Sequence, residues 1–161
     1  SALKKISKYF EEYEVLAVEM PLYEDIEGHD RKFKGFIDAV VATPDGKVHI
    51  FDWKTCSWGW NAQKRSDKMV TYQLTLYKKF FCQKMNIDPK SVETHFALLK
   101  RTAKNNHVEF FRVTSGPKKT ENALKLLNMA LYNIENKRYI KNRLSCTSGY
   151  GCKFYKTEHC P

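Results

Sequence analysis

The most constraining feature of this chain is an ordered set of residues spread over three consecutive segments. Gly35-Phe36-Ile37-Asp38 comes first, Ile50-Phe51-Asp52-Trp53-Lys54-Thr55 follows, and Tyr72-Gln73-Leu74-Thr75-Leu76-Tyr77 closes the set. Pro44-Asp45-Gly46 is a strong turn signal between the first two, so they read as the antiparallel strands of a short hairpin. Alternation then puts Val48, Ile50, Asp52 and Lys54 on one face of the second strand, and Phe36, Asp38 and Val40 on one face of the first. Two carboxylates and one ammonium converge at one end of a small sheet, the minimum equipment for holding a divalent cation against a phosphodiester.

Asp67 to Met85 carries apolar or aromatic residues at 69, 70, 72, 74, 76, 77, 80 and 81, which reads as a helix. Gln73 and Tyr77 are four apart and share one side of it. Asp38 and Asp52 are hard oxygen donors suited to Mg²⁺ or Mn²⁺, which keep several waters and take few protein ligands. The Trp53 backbone carbonyl completes the protein's share. Lys54 is placed to orient an attacking water or to stabilise developing negative charge. Glu19, in Val18-Glu19-Met20-Pro21 on a preceding strand, is a further carboxylate candidate. An Asp-x-Lys triplet alone is common, and its plainer reading is a salt-bridged strand end. Tyr77 likewise has a plainer reading as a core residue. The order of the whole set favours the metal site.

That set resembles the PD-(D/E)XK nuclease superfamily, and specifically its RecB-like branch, which includes CRISPR-associated RecB-like and phage exonucleases. The resemblance is close over roughly residues 15 to 80, and the C-terminal cysteines extend it. It implies a restriction-endonuclease-like α/β (α+β) core and a metal-dependent deoxyribonuclease. It further implies that Asp38, Asp52 and Lys54 form the metal site, and that Gln73 and Tyr77 contact the nucleic-acid backbone or brace the Lys54 loop. A carboxylate near Glu19 also has a counterpart, bound to metal directly or through water. RecB-like nucleases often carry a histidine ligand on an upstream helix, and no histidine precedes His29 here.

At 161 residues the chain is expected to be one domain with a genuine core. The expected parts are a core over about 14–114, a C-terminal helix over 118–137 and a cysteine-rich tail over 140–161. It begins at Ser1 without Met, which points to an excised or N-terminally shortened piece. Lys and Arg number 28 against 18 Asp and Glu, a net charge of +10 that favours a polyanionic partner such as DNA. Basic pairs occur at Lys4-Lys5, Lys78-Lys79, Lys100-Arg101, Lys118-Lys119 and Lys137-Arg138, with Lys141 and Arg143 beyond. Such clusters are otherwise simply solvated faces. No apolar run approaches the roughly 20 residues of a membrane span, and no secretory signal is visible.

Leu3 to Tyr13 reads as an amphipathic helix, Glu14 to Tyr23 as a strand ended near Pro21, and Glu24 to Lys32 as a polar loop. Cys56 to Asn61 is an aromatic loop followed by a polar run to Asp67. Ser91 to Arg101 and Val108 to Thr114 read as strands around Lys104-Asn105-Asn106, and Lys118 to Lys137 as a helix. The order α-β-β-β-α-β-β-α suits a mixed sheet flanked by helices. Trp58 and Trp60 either stack on bases beside the site or fold under the loop into the core. His29, His49, His95 and His107 show no metal-ligand spacing and read as surface or strand residues.

Cys146, Cys152 and Cys160 lie in the last sixteen residues, whereas Cys56 and Cys82 are isolated. Some RecB-like exonucleases hold an iron–sulfur cluster with one upstream cysteine and three at the C-terminus, and these three match the C-terminal group. Three readings stay open: a 4Fe-4S cluster completed by a cysteine absent from this sequence, a Cys₃His zinc site with His159, or no metal.

The leading expectation is an Mg²⁺- or Mn²⁺-dependent deoxyribonuclease, an exonuclease acting on ends or single strands. It carries a cytoplasmic, nucleoid-associated location and a helicase or other recombination or replication partner. The alternatives are a non-catalytic nucleic-acid-binding module that kept the fold, or an RNA-cleaving endonuclease domain.

Overall fold

The computed structural model describes residues 2–139 and 144–160, so Lys141 and Arg143 lie outside the described residues. The chain divides into two compact units, Ser1–Leu124 and Lys125–Pro161. The first holds helix α1 (Ala2–Tyr9), strands β1 (Glu14–Asp25), β2 (Lys32–Ala42) and β3 (Val48–Cys56), helices α2 (Ala62–Ser66) and α3 (Lys68–Met85), a 3-10 turn at Pro89–Ser91, and strands β4 (Val92–Lys100) and β5 (Val108–Val113). Helix α4 (Pro117–Glu135) begins in the first unit and continues into the second, which also holds α5 (Leu144–Thr147).

The five strands form one sheet in the order β1-β2-β3-β4-β5. Every pair is antiparallel except β3 and β4, which run parallel because α2 and α3 carry the chain back between them. The result is the expected mixed sheet flanked by helices. The β2–β3 register is set by the turn after Thr43, where Gly46 N–H donates to Thr43 O at 3.0 Å and Thr43 N–H donates to Lys47 O at 3.0 Å. Gly46 has φ +80°, a conformation that a side chain resists. Helix α3 begins where the Asp67 carboxylate accepts from Met69 N–H. It ends where Asn86 takes the left-handed C-cap.

Each face of the sheet has its own packing. On one, Ala39, Val41, Phe51 and Ala97 are buried with Phe10, Tyr13, Trp53 and Phe110 against them. On the other, α3 lies across the strands with Leu74, Phe80 and Phe81 buried, each worth about 1.5–3 kcal/mol on full burial. Asp52 and Lys54, alternating with Phe51 and Trp53, belong to this second face.

Several elements depart from expectation. Helix α1 stops at Tyr9, four residues early, and Phe10 N–H closes it onto Ile6 O. Strand β1 runs through Pro21 to Asp25, with Pro21 opposite Phe36. It is an edge strand, where proline's missing donor is tolerated. The polar run before Asp67 contains α2, capped by the Asn61 side chain accepting from Lys64 N–H. Phe36 does not share a buried face with Val40: it is 53% exposed and Val40 1%. The pleat is interrupted on the partner strand, where Glu19 has φ +49°. Among the described residues, no helix is long and apolar enough to cross a membrane.

Candidate active site

The sheet brings Asp38, Asp52 and Lys54 together where β2 and β3 part. Paired strands stop at Ala39 opposite Phe51, so Asp38 is the first residue beyond the ladder. Its Oδ2 accepts from the Trp53 backbone N–H at 2.7 Å, which joins the two strands where their ladder stops. In an extended strand a residue's N–H and C=O point to the same edge, so the Trp53 carbonyl faces the Asp38 side as well.

Asp52 is 3% exposed. Its Oδ1 accepts from Gln73 Nε2 at 2.9 Å, and its Oδ2 lies 2.8 Å from Lys54 Nζ. The ammonium is close enough for an ion pair but approaches off the hydrogen-bonding direction, leaving Oδ2 buried without a hydrogen-bond partner. Burial pushes the Asp52 carboxyl above its usual range; Lys54 opposes that rise, and the nearby Asp38 charge adds to it. A buried anion held this way is unfavourable unless a further cation arrives.

Gln73 and Tyr77 come from α3, and the Gln73 Nε2 that holds Asp52 also donates to Tyr77 Oη at 3.1 Å. Tyr77 is 9% exposed and sits beside Gly35, where a Cβ would lie 2.7 Å from the Tyr77 ring. The glycine of the Gly-x-x-Asp segment therefore makes room for the tyrosine of the Gln-x-x-x-Tyr segment. Both α3 residues brace Asp52 from behind. Glu19 is exposed, and the flanking pairs Val18 with Ala39 and Met20 with Ile37 place it opposite Asp38 in register.

The sequence matches the PD-(D/E)XK nuclease superfamily over residues 2–160. The chain belongs to that superfamily. Membership supports a hydrolytic nuclease with a nucleic-acid substrate. Among solved structures, the chain resembles SSO0001, with a TM-score of 0.52 and 16% identity over 91% of this chain and 61% of that one. It also resembles a protein from Eubacterium rectale assigned as an exonuclease, with a TM-score of 0.56 and 16% identity over 89% of this chain and 55% of that one. At such identity the likeness is one of fold, and the chain spans little more than half the length of either. No curated protein sequence matches significantly.

The remaining candidates of this PD-(D/E)XK chain divide sharply. Trp58 is 77% exposed. Trp60 is 8% exposed, with its ring 5.2 Å from Phe96 and 6.0 Å from Phe111, so it closes the core and offers no free face to a base. Cys146, Cys152 and Cys160 are free thiols in the second unit, where Cys152 N–H donates to Cys146 O at 2.9 Å. Their sulfurs are not gathered. Among the described residues, the set of three or more metal-type side chains within 4.8 Å is instead His49, Glu93 and His95. The spacing of the histidines along the chain concealed it, because 46 residues and a parallel crossover separate His49 from His95.

Proposed function

We propose that this chain is a metal-dependent deoxyribonuclease that hydrolyses phosphodiester bonds at DNA ends or in single strands, with Mg²⁺ or Mn²⁺ at Asp38 and Asp52. The observation that carries the reading is the buried Asp52 carboxylate, whose Oδ2 has the Lys54 ammonium beside it but no aligned hydrogen-bond donor, with Asp38 nearby. Such an oxygen fits a hard divalent cation, and so does an all-oxygen donor set of two carboxylates and the backbone carbonyl of Trp53. When bound, the cation supplies Lewis-acid activation of water and neutralises phosphate charge.

The protein's own groups do the rest. Gln73 fixes Asp52 through Oδ1, which leaves Oδ2 for the cation. Trp53 N–H anchors one oxygen of Asp38 and leaves the other available. Lys54, whose side chain is 32% exposed, is free to swing from Asp52 toward the scissile phosphate, orient the water and stabilise the charge that develops there. Glu19, opposite Asp38 on the edge strand, supplies a further carboxylate through water. Trp58 offers its exposed ring for base stacking, while Gln73 and Tyr77 act on DNA only through the position of Asp52. The free thiols Cys146, Cys152 and Cys160 have no part in this reading of the reaction.

The test is a substrate panel in Mn²⁺: end-labelled linear DNA, circular single-stranded DNA and RNA of matched length. Loss of linear DNA from its ends with circles intact is expected. Cleavage of circles would replace the exonuclease reading by an endonuclease, and cleavage of RNA alone would overturn the DNA assignment.

A further inference from the structure

The sheet face opposite Asp52 carries its own polar cluster, which the nuclease reading does not use. His49 lies on β3 opposite Glu93 on β4, and His95 follows two residues later on the same face. His49 Nδ1 is 3.0 Å from His95 Nε2 and 3.9 Å from Glu93 Oε2. The histidines are 4% and 1% exposed. Phe10 packs on His49 with ring centroids 4.4 Å apart, and Phe51 stacks on His95 at 4.9 Å. Two imidazoles and a carboxylate converge in an otherwise aromatic environment.

The atoms that do not converge are all held from behind. His49 Nε2 meets Thr43 Oγ1 at 3.1 Å, and Thr43 in turn donates to Asp45. His95 Nδ1 meets Tyr9 Oη at 3.5 Å. Glu93 Oε1 accepts from Lys47 Nζ and from Arg112 Nη1, each at 3.0 Å. Outer partners of this kind fix the tautomer and orientation of metal-ligating histidines and carboxylates.

We propose that His49 Nδ1, His95 Nε2 and Glu93 Oε2 bind a zinc-class divalent cation, separate from the nuclease metal. Imidazole with one carboxylate selects zinc and its neighbours over magnesium, so the two sites take different ions. Zinc–nitrogen bonds of about 2.0–2.1 Å require tetrahedral ligands roughly 3.3 Å apart, a few tenths from the separation of the histidines here. Glu93, whose side chain is 18% exposed, closes by about half an ångström. A cleft lined among others by Glu11, Glu12 and Lys47 opens beside His49.

The protons balance without net release. In the metal-free state, one consistent order runs from Tyr9 Oη–H to His95 Nδ1, from His95 Nε2–H to His49 Nδ1, and from His49 Nε2–H to Thr43 Oγ1. On binding, the His95 proton moves to Nδ1 and is donated to Tyr9 Oη, whose hydroxyl proton turns away, and Nε2 is freed for the cation. Burial lowers the pKa of both imidazoles, that of His95 to about 3. The cation would tie β3 and β4 to the α1 end and to the β2–β3 turn.

The test uses the full chain with Asp38→Ala, Asp52→Ala and the three tail cysteines changed to Ser, which removes the other candidate sites. Equilibrium dialysis against Zn²⁺ with elemental analysis should find one equivalent. Co²⁺ should give visible ligand-field bands without a thiolate charge-transfer band. Adding Glu93→Gln, a near-isosteric change outside the apolar core, should weaken Zn²⁺ binding about a hundredfold or more. Thr43→Val, which removes the hydroxyl behind His49 together with its bonds to Asp45 and Lys47 O in the turn, should weaken it about 10- to 100-fold. No bound Zn²⁺ in the parent, or equal binding with and without Glu93→Gln, would overturn the proposal. Neither result bears on DNA cleavage.

Discussion

Gly35→Ala tests how the Gly-x-x-Asp strand and the Gln-x-x-x-Tyr helix depend on each other. A Cβ at position 35 would lie 2.7 Å from Tyr77 Cε1 and 3.3 Å from Phe33 Cε1. Carbon atoms rest at about 3.5–4.0 Å, so the Tyr77 contact falls short by roughly 0.8 Å or more. The ring has little room to retreat. Tyr77 is buried, Phe33 meets its edge, and Phe33 is itself stacked on the buried Phe80 with centroids 4.2 Å apart. The backbone at Gly35 is not in the left-handed region, so alanine brings steric overlap without conformational strain. Overpacking of this kind costs about 1–3 kcal/mol, a fall in Tm of roughly 2–12 °C for a chain of this size. The displaced ring also withdraws Tyr77 Oη from Gln73, loosening the support of Asp52. Thermal unfolding in EDTA reads the stability, and Mn²⁺ titration calorimetry reads the site. The decisive comparison is the double variant Gly35→Ala/Tyr77→Leu, which removes the ring the methyl meets. It should be no less stable than Tyr77→Leu alone. A Gly35→Ala protein within about 0.5 kcal/mol of the parent, or strictly additive losses in the double variant, would refute the reasoning.

Three further outcomes are expected. Gln73→Ala removes the donor to Asp52 Oδ1 and should weaken Mn²⁺ binding about 10- to 100-fold by calorimetry with little change in fold; unchanged affinity would make Gln73 a bystander. Asp52→Asn should leave the metal-free protein as stable as the parent or more so at pH 7, by thermal melts in EDTA. The buried carboxyl has a raised pKa, so its contribution is favourable below its unfolded pKa and is lost as pH rises through the folded one; a clear fall in Tm at pH 7 would contradict this. DNA affinity should drop steeply with salt, log K falling linearly with log salt, and a flat dependence would remove the net charge of +10 from the binding account.

The parts of the fold that local chemistry dictates were legible in the sequence. The turn at Pro44-Asp45-Gly46 fixed the hairpin, and the caps at Asp67 and Asn86 bounded α3 within a residue of its pattern. The Asp38, Asp52 and Lys54 convergence followed from those two elements. What depends on tertiary context was not legible. Pro21 reads as a strand end, yet an edge strand accepts it. Trp60 looks like a partner of Trp58, yet one loop residue buries its ring on Phe96 while the other stays in solvent. Alternation puts Phe36 and Val40 on one face, yet Phe36 is exposed while Val40 is buried. His49 and His95 meet only because β3 and β4 are parallel neighbours, and no spacing rule along the chain encodes that pairing.

The most direct test of the central claim is metal-dependent cleavage by the parent beside Asp52→Ala and Lys54→Ala, each checked for an intact fold by circular dichroism. The parent should degrade end-labelled linear DNA in Mn²⁺ or Mg²⁺ and be silent in EDTA. Both variants should lose cleavage while remaining folded. Cleavage that persists in EDTA, or full activity in either folded variant, would contradict that claim.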